Sequence, residues 1–207
     1  MKKFRNLINS DLFEQICKLH DESHTLIIGI DGLGGSGKTT ISNQLTKYFK
    51  KNTIILHIDD FIFPKSVRYN NKFVPWECYY NLQWRYDYLI DEIINPIKKN
   101  CYFHKEVKMY DKDSDSYYFK EIIVPVGSVV VIEGIFLQRK ELKGIFDYII
   151  YLDVTEETRL NRIINRDTYI GNEQQIRNKY MNRYLPAEHY YVCRYNQIQN
   201  ADYVIKE

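Results

Sequence analysis

A glycine-rich stretch at residues 32–39, with the sequence GLGGSGKT, holds the strongest chemical signal in this chain of 207 residues. It fits the pattern G-x-x-x-x-G-K-[ST], which is typical of a loop that binds phosphate groups. An apolar, β-branched run at 25–31 precedes it, and apolar residues at helical spacing follow over 38–50. Strand, glycine loop and helix are the context that the motif requires, which disfavours a chance match in an ordinary glycine-rich turn.

The residue types of this loop suit a nucleoside triphosphate. Glycines let main-chain N–H groups face an anion, and the helix that begins near Lys38 adds the positive end of its dipole. Lys38 brings a catalytic positive charge near the β- and γ-phosphates, and Thr39 offers a hydroxyl to Mg²⁺. The sequence therefore predicts that the loop binds a nucleoside triphosphate with Mg²⁺. The residues predicted to bind this nucleotide are Gly32, Gly34, Gly35, Ser36, Gly37, Lys38, Thr39 and Thr40.

Two other apolar runs end in carboxylates. Asp59 and Asp60 end the predicted strand at 53–58, and Glu133 ends the one at 129–132. Ligands of open α/β sheets bind outside the carboxyl ends of the strands. We therefore expect Asp59 to accept a proton from an acceptor hydroxyl, and Glu133 to act beside Mg²⁺ or on the substrate. A polar strand exit or a helix cap is the alternative for the aspartate pair.

One predicted helix carries three arginines. Arg159, Arg162 and Arg166 are three and four residues apart, so they share one broad face. A solvated basic face is the ordinary interpretation of such a run. In a phosphate-loop protein, however, guanidinium groups at this point favour a lid that neutralises charge on a transferring phosphoryl group. We expect this lid at about 162–175, with its tip at 167–172.

The remaining patterns alternate between strands and helices. They predict a helix at 10–20, a helix at 83–99, a strand at 146–152, a helix from 173 that stops at Pro186, and a strand at 201–205. The alternation predicts a three-layer α/β fold with a mostly parallel sheet, formed as a single domain over 1–207.

An insertion at about 64–124 is expected to cover the substrate. Its first part, 64–82, is predicted as an irregular loop rich in aromatic rings, which suits the wall of a small-molecule pocket. Its last part has strand-like runs at 102–109 and 117–124 around a polar turn, which predicts a β-ribbon. The alternatives are rings that pack the loop onto the body and a plain surface hairpin.

Composition excludes several classes of partner. The net charge of +2, with both signs interspersed, gives no reason to expect nucleic acid or an anionic membrane. No run approaches the roughly 18 apolar residues of a membrane span, and no long apolar core follows residues 1–6, so no signal peptide is expected. Cys17, Cys78, Cys101 and Cys193 form no C-x-x-C pair, which favours reduced thiols in a cytoplasmic protein. No heptad or long apolar stripe indicates an oligomeric state.

In their order and spacing, these motifs resemble the uridine kinase–phosphoribulokinase–pantothenate kinase group, and most of all its small bacterial uridine kinase-like members. The resemblance spans nearly the whole chain, although only the glycine-rich loop is specific by itself. The matching segments are 32–40, 59–61, Pro75, 79–80, 86–88, 110–111, 131–137, 159–167, 183–186 and 201–205.

The resemblance implies a P-loop NTPase fold of the nucleoside and nucleotide kinase type, with an inserted ribbon and an arginine lid. It also implies ATP·Mg²⁺-dependent phosphorylation of a hydroxyl, which in nucleoside kinases of this group is the ribose 5′-hydroxyl. Asp59 aligns with the catalytic base, and Arg162 and Arg166 align with lid arginines that act in catalysis. Tyr110 aligns with a residue that stacks near the nucleobase.

Other substrate contacts are also implied. Either Asp87 or Glu77 matches the carboxylate that holds the sugar hydroxyls. The residues predicted to bind the acceptor are Asp60, Tyr79, Asp87, Tyr110 and Glu133.

Two segments depart from the uridine kinase pattern. No histidine stands at 113–115, where uridine kinases have one that reads the base, and no arginine stands at 168–172, where they have an Arg-Gly-Arg lid. The predicted function is phosphorylation of a nucleoside such as uridine or cytidine, with pantothenate, nicotinamide riboside or a sugar as alternative acceptors. An ATP-binding regulator without a substrate is the alternative of another class, and it would not need Asp59.

Overall fold

The computed structural model describes residues 10–49, 53–99 and 102–207, so the expectations for Cys101 and for residues 1–9 lie outside it. The strands are β1 (Leu26–Gly32), β2 (Thr53–His57), β3 (Phe103–Asp111), β4 (Ser116–Val124), β5 (Val129–Gly134), β6 (Tyr148–Asp153) and β7 (Tyr203–Lys206). The α-helices are α1 (Ser10–Leu19), α2 (Lys38–Phe49), α3 (Lys65–Arg68), α4 (Pro75–Leu82), α5 (Tyr86–Leu89), α6 (Asn95–Lys98), α7 (Glu156–Arg166), α8 (Glu173–Lys179), α9 (Leu185–Arg194) and α10 (Gln197–Asn200).

The central sheet has five parallel strands in the order β2–β5–β1–β6–β7. All residues of β1 and β5 are buried, because structure covers both faces of the sheet. Successive side chains point to opposite faces, so Ile27 and Val130 join one core while Ile28 and Val131 join the other. The predicted three-layer α/β fold with a mostly parallel sheet is therefore confirmed.

The strand order determines where the polar residues meet. β1 lies between β5 and β6, and β2 pairs with the other side of β5. In this register Ile30 lies opposite Glu133, and His57 lies opposite Glu133 on the other side. Because parallel strands end at the same edge, the loop after β1, the turn after β2 and the end of β5 face one common space.

The segment 64–82 is not the irregular loop that the sequence predicted. It contains α3 and α4, and Pro75 occupies the first turn of α4, where its missing N–H costs no hydrogen bond. Cys78 and Tyr80 are buried on α4. The many aromatic residues of this segment suggested a loop, but part of the segment is a helix with one face packed into the core.

The helix predicted at 83–99 begins three residues later than expected, at Tyr86. Trp84 instead pairs with Ile62 through an isolated antiparallel bridge, and the Arg85 N–H donates to the Phe61 carbonyl at 2.8 Å. Residues 83–85 are therefore extended and pair with residues 61–62, so the helix begins only after them.

At two places a π-helical turn precedes a proline, and the helix continues beyond it. The Leu185 N–H donates to the Tyr180 carbonyl, and the turn Tyr180–Tyr184 joins α8 to α9. The prediction that this helix stops at Pro186 is therefore wrong. The turn Ile90–Ile94 likewise lies just before Pro96, with Asn95 donating to Ile90. The wider turn accommodates a proline ring that would clash with a carbonyl of a regular α-helix.

The ribbon predicted between residues 102 and 124 is present, with β3 and β4 paired antiparallel from Phe103 opposite Val124 to Asp111 opposite Ser116. It is tied to the body through Lys108, whose N–H donates to the Tyr88 hydroxyl at 2.7 Å and whose carbonyl accepts from Arg85 at 2.6 Å. Side chains of β3 fill the core, while most of β4 is solvent-facing. The ribbon thus packs through one face only.

Several expectations from composition can be compared with the described residues. Cys17, Cys78 and Cys193 are free thiols. Within the same ranges, no three or more His, Cys, Asp or Glu side chains are grouped to hold a metal ion. In that part of the chain no helix has both the length and the apolar character needed to cross a membrane.

The end of β5 has no room for a side chain, which gives a test of the fold. A Cβ atom at Gly134 would lie 2.1 Å from Cγ2 of Ile58, which is buried. Because a buried β-branched side chain cannot move aside cheaply, we expect Gly134→Ala to lower the free energy of unfolding by about 1–3 kcal/mol. Urea denaturation followed by circular dichroism measures this loss.

The matched control is Gly144→Ala, where a Cβ meets nothing within 4 Å but φ is +76°. Its backbone strain should cost about 1 kcal/mol. A Gly134→Ala protein as stable as the wild type would contradict the packing described for β5 and the turn after β2.

Candidate active site

The glycine-rich loop connects β1 to α2 and curls around the side chain of its own lysine. Gly35 and Gly37 have φ values of +79° and +95°, which other residues adopt only with strain. Lys38 Nζ donates to the Gly32 carbonyl at 2.7 Å and to the Leu33 carbonyl at 3.1 Å. Burial lowers the pKa of Lys38, although nearby carboxylates, Glu133 foremost, oppose this shift. The ammonium group is therefore held at the mouth of the loop.

Glu133 is hydrogen-bonded from both sides at the end of β5. Thr39 Oγ1 donates to its Oε1 at 2.9 Å, and His57 Nδ1 lies 2.6 Å from the same oxygen. Burial alone would raise the pKa of Glu133, but the bond to His57 and the charge of Lys38 outweigh it and hold this pKa below its ordinary value. Glu133 is therefore a carboxylate, aligned with the threonine hydroxyl.

His57 is a site residue that the sequence analysis missed. Its hydrogen bond to Glu133 raises its pKa, against the opposing effect of burial. The signal was its position as the last residue of β2, opposite Glu133 in the parallel register. That register depends on strand order, which no single strand reveals.

Asp59 lies in the 3₁₀ turn Ile58–Asp60 and lines the same cleft as Lys38 and Glu133. Desolvation by the surrounding protein and the negative charge of Glu133 raise its pKa, while the charges of Lys38 and Arg166 lower it. A carboxylate with a raised pKa binds a proton more readily than an ordinary aspartate. Asp60 does not line this cleft, and its nearest charged groups include His57 and Lys120 of the ribbon.

Of the three grouped arginines, only two reach the cleft. Arg162 lines it and donates to the carbonyls of Gly35 and Ser36 at 3.4 and 3.5 Å, while its other nitrogen binds Glu207 at 2.6 Å. Arg166 also lines the cleft, with an exposed side chain that pairs with Asp167 at 2.6 Å.

Arg159 instead lies beneath the loop, so the expectation that it shares a lid face with Arg162 and Arg166 is wrong. Its Nη1 donates to Glu188 at 2.7 Å and to the Gly34 carbonyl at 3.1 Å. Both side chains of this ion pair are at most 4% exposed. The face that a helix presents to the interior is chosen by its neighbours, and here that neighbour is α9.

Glu188 completes a clamp on the main chain of Gly34. Its Oε1 accepts the Gly34 N–H at 2.9 Å, and its Oε2 also accepts from the Tyr180 hydroxyl at 3.3 Å. Sequence analysis missed Glu188 because the predicted helix stopped at Pro186. The clamp joins the loop to α7 and α9, the helices on either side of the lid.

The predicted acceptor residues separate into two groups. Tyr79 lines the cleft together with Glu133. Tyr110 does not, because it is buried in the core with its hydroxyl 2.6 Å from both Arg68 and Asp115. Asp87 and Glu77 are also outside the lining of the cleft. The set predicted from resemblance is therefore not brought together as a unit.

The cleft itself has a volume of about 410 Å³. Its lining includes most of the residues predicted to bind ATP, while Gly32 and Ser36 are outside it and accept hydrogen bonds from Lys38 Nζ. The lining comprises Gly34, Gly35, Gly37, Lys38, Thr39, Thr40, His57, Asp59, Tyr79, Glu133, Gly134, Ile135, Arg162 and Arg166. Phosphate-binding groups and a paired carboxylate and hydroxyl thus share one concave surface, which is the arrangement of a P-loop kinase.

Comparisons with known proteins support the same class of protein. Residues 27–207 match the model of the phosphoribulokinase/uridine kinase family, and the chain belongs to this family. It is 29% identical to a uridine kinase of Staphylococcus haemolyticus over 82% of this chain and 83% of that protein. It is 31% identical to a uridine kinase of Staphylococcus aureus over 70% and 69% of the two chains.

A solved structure described as a possible uridine kinase from Bacillus stearothermophilus is also similar. It superposes with a TM-score of 0.73 at 29% identity, covering 94% of this chain and 96% of that one. Together the family and these relatives identify the chain as an ATP-dependent P-loop kinase that phosphorylates a small metabolite.

The clamp on Gly34 gives a prediction for stability. Glu188→Ala would leave the Arg159 charge buried without a counter-charge, and we expect it to cost about 3–5 kcal/mol of unfolding free energy. Glu188→Gln keeps an oxygen for the Gly34 N–H, so it should cost measurably less. Urea denaturation of both variants, with ATP affinity by calorimetry, checks this order. Equal stability of the wild type and Glu188→Ala would contradict the role given to the pair.

Proposed function

We propose that this kinase transfers the γ-phosphoryl group of Mg²⁺·ATP to a hydroxyl of a small metabolite, with Asp59 as the residue that receives the hydroxyl proton. The observation that carries the proposal is the lining of one cleft by Asp59, the loop lysine and the arginine pair. A phosphate loop alone would serve nucleotide binding. The added carboxylate at the end of β2 is what transfer to an alcohol requires.

The residues present suit Mg²⁺. The Thr39 hydroxyl and the Glu133 carboxylate are hard oxygen ligands that lie 2.9 Å apart. Mg²⁺ in kinases is commonly held by one or two protein groups together with phosphates and water, so a dedicated cage is not needed. When bound, the ion would neutralise charge on the phosphates. His57 would keep Glu133 oriented.

The protein groups then divide the remaining work. Lys38 and the loop N–H groups hold the β- and γ-phosphates. Arg162 and Arg166 supply positive charge from the lid side of the cleft, where charge develops during transfer. Asp59 orients the acceptor hydroxyl and takes its proton, and its raised pKa makes it a better proton acceptor than an ordinary aspartate. Positioning and charge stabilisation carry most of the rate.

Uridine and cytidine are the first acceptors to test. The support is the name of the relatives, which are uridine kinases at 29–31% identity. On this proposal the ribose 5′-hydroxyl faces Asp59, and Tyr79 forms part of the acceptor wall. Asp60 and Asp87 are not among the residues that line this cleft.

A second candidate is another small alcohol, such as pantothenate, nicotinamide riboside or a sugar. The observation that favours it is the burial of Tyr110, which is 4% exposed and therefore offers no ring face to a base in the cleft. The turn at 112–115 also has no histidine. An ADP-release assay with Mg²⁺·ATP and this panel of alcohols decides between the two candidates.

Replacement of the proposed base gives the sharpest test of the mechanism. Asp59→Asn should lower kcat by about 100-fold or more, because the amide cannot accept the hydroxyl proton. The Kd for ATP should stay near the wild-type value, since the phosphate loop is unchanged. Single-turnover kinetics and calorimetry measure the two quantities. Asp113→Asn, on the exposed ribbon turn, is the matched control. Unchanged turnover in Asp59→Asn would rule out this assignment.

A further inference from the structure

A second cavity is lined by residues of α4, the helix that also borders the cleft. Its volume is about 460 Å³, which suits a small metabolite. Tyr79 of α4 lines the cleft, while Pro75 and Cys78 line the second cavity. The other wall comes from the end of α8 and the π-helical turn that follows. The cavity is lined by Tyr69, Asn70, Asn71, Phe73, Pro75, Cys78, Asn178, Lys179, Asn182 and Arg183.

Arg183 and Tyr79 are the contact between this cavity and the cleft. The Arg183 guanidinium packs over the ring of Tyr69 at 4.2 Å and near that of Tyr79 at 5.5 Å. Tyr79 in turn lines the cleft together with Asp59. A ligand beside Arg183 is therefore next to a residue that shares a surface with the proposed base.

The charge of the cavity has one sign. Lys179 and Arg183 both line it, and among the described residues no aspartate or glutamate does. Arg183 is 4% exposed, and among the described residues its guanidinium donates to the carbonyls of Arg68 and Pro75 and to the Gln83 side-chain oxygen. Buried cations are ordinarily paired with an anion, and these acceptors carry no charge.

Lys179 is available to a ligand. Within the described part of the chain it is in none of the ion pairs, and its Nζ lies over the Tyr184 ring at 5.7 Å. The π-helical turn that begins at the next residue is a feature often found at functional sites. The rings of Tyr69 and Phe73 are 45% and 48% exposed and offer apolar faces beside the two cations.

We infer that this cavity is the acceptor pocket and that the acceptor alcohol carries an anionic group, a carboxylate or a phosphate, held by Lys179 and Arg183. The asparagine amides can donate to the same anion or to further hydroxyls. The inference rests on the proposed function and selects within it. Pantothenate has the required charge, uridine is neutral, and nicotinamide riboside has the opposite charge.

The first test compares alcohols that differ in charge. ADP release with Mg²⁺·ATP is measured for pantothenate against panthenol, glycerate against glycerol, and ribose 5-phosphate against ribose, with uridine alongside. At least one acidic member should exceed its neutral partner by about 10- to 100-fold in kcat/KM, because a charge-assisted hydrogen bond is lost in the neutral one. The carboxylate and phosphate pairs separate the two sources of the anion. Equal rates within every pair would overturn the inference.

The second test removes one cation. Lys179→Gln should abolish the preference for the acidic member, mainly by raising its KM about tenfold or more, while kcat changes little. Lys72→Gln, in the exposed segment before α4, is the matched control and should behave as the wild type. A Lys179→Gln enzyme that keeps the full preference would contradict the role of the pocket.

Calorimetry without ATP tests the pocket inference independently of the proposed function. Pantothenate, glycerate and ribose 5-phosphate are titrated into the wild type and Lys179→Gln. Binding that depends on Lys179 but gives no turnover would support the pocket and count against the alcohol-kinase assignment. Turnover of uridine with no binding of any acid would overturn the pocket and leave that assignment standing.

Discussion

The buried ion pair between Arg159 and Glu188 is the interaction on which the phosphate loop depends. It binds both the main-chain N–H and the main-chain carbonyl of Gly34, so the loop is fixed from below by α7 and α9. A charge pair at this depth is stabilising only while both partners and their hydrogen bonds remain in place. The shape of the loop and the packing of the lid helices are therefore one structural unit, and neither can change without disturbing the other.

Opposite charges also compensate one another at the carboxyl edge of the sheet. Lys38 is surrounded by the carboxylates of Glu133, Asp31, Asp59 and Glu188, whose charges offset the cost of burying its ammonium group. The carboxylates in turn differ in their partners. Hydrogen bonds hold the pKa of Glu133 below its ordinary value, whereas burial and the charge of Glu133 raise the pKa of Asp59. Neighbouring acids that differ in this way are suited to different tasks.

The sequence predicted features that depend on residues close together in the chain, and it missed features that depend on contacts between distant segments. The glycine loop, the buried strands and the carboxylates at their ends were predictable, because each is a pattern of adjacent residues. The burial of Tyr110 was not, because the ribbon's inner face is chosen by its docking on α5. Arg159 was assigned to the wrong surface because helical spacing groups residues without naming their neighbour. Asp87 and Tyr110 were assigned to the acceptor site on the basis of the family resemblance, but neither lines the cleft.

The π-helical turn before Pro186 also sets a constraint on chain length. Such a turn holds one residue more than an α-helical turn, and one residue corresponds to a rotation of about 100° around the helix axis. Glu188 faces Gly34 only with that extra residue counted. Loss of a single residue from 180–184 would turn Glu188 away from the loop while leaving a helix of normal appearance. A deletion in this turn should therefore break the contact between Glu188 and Gly34 even when Glu188 itself is unchanged.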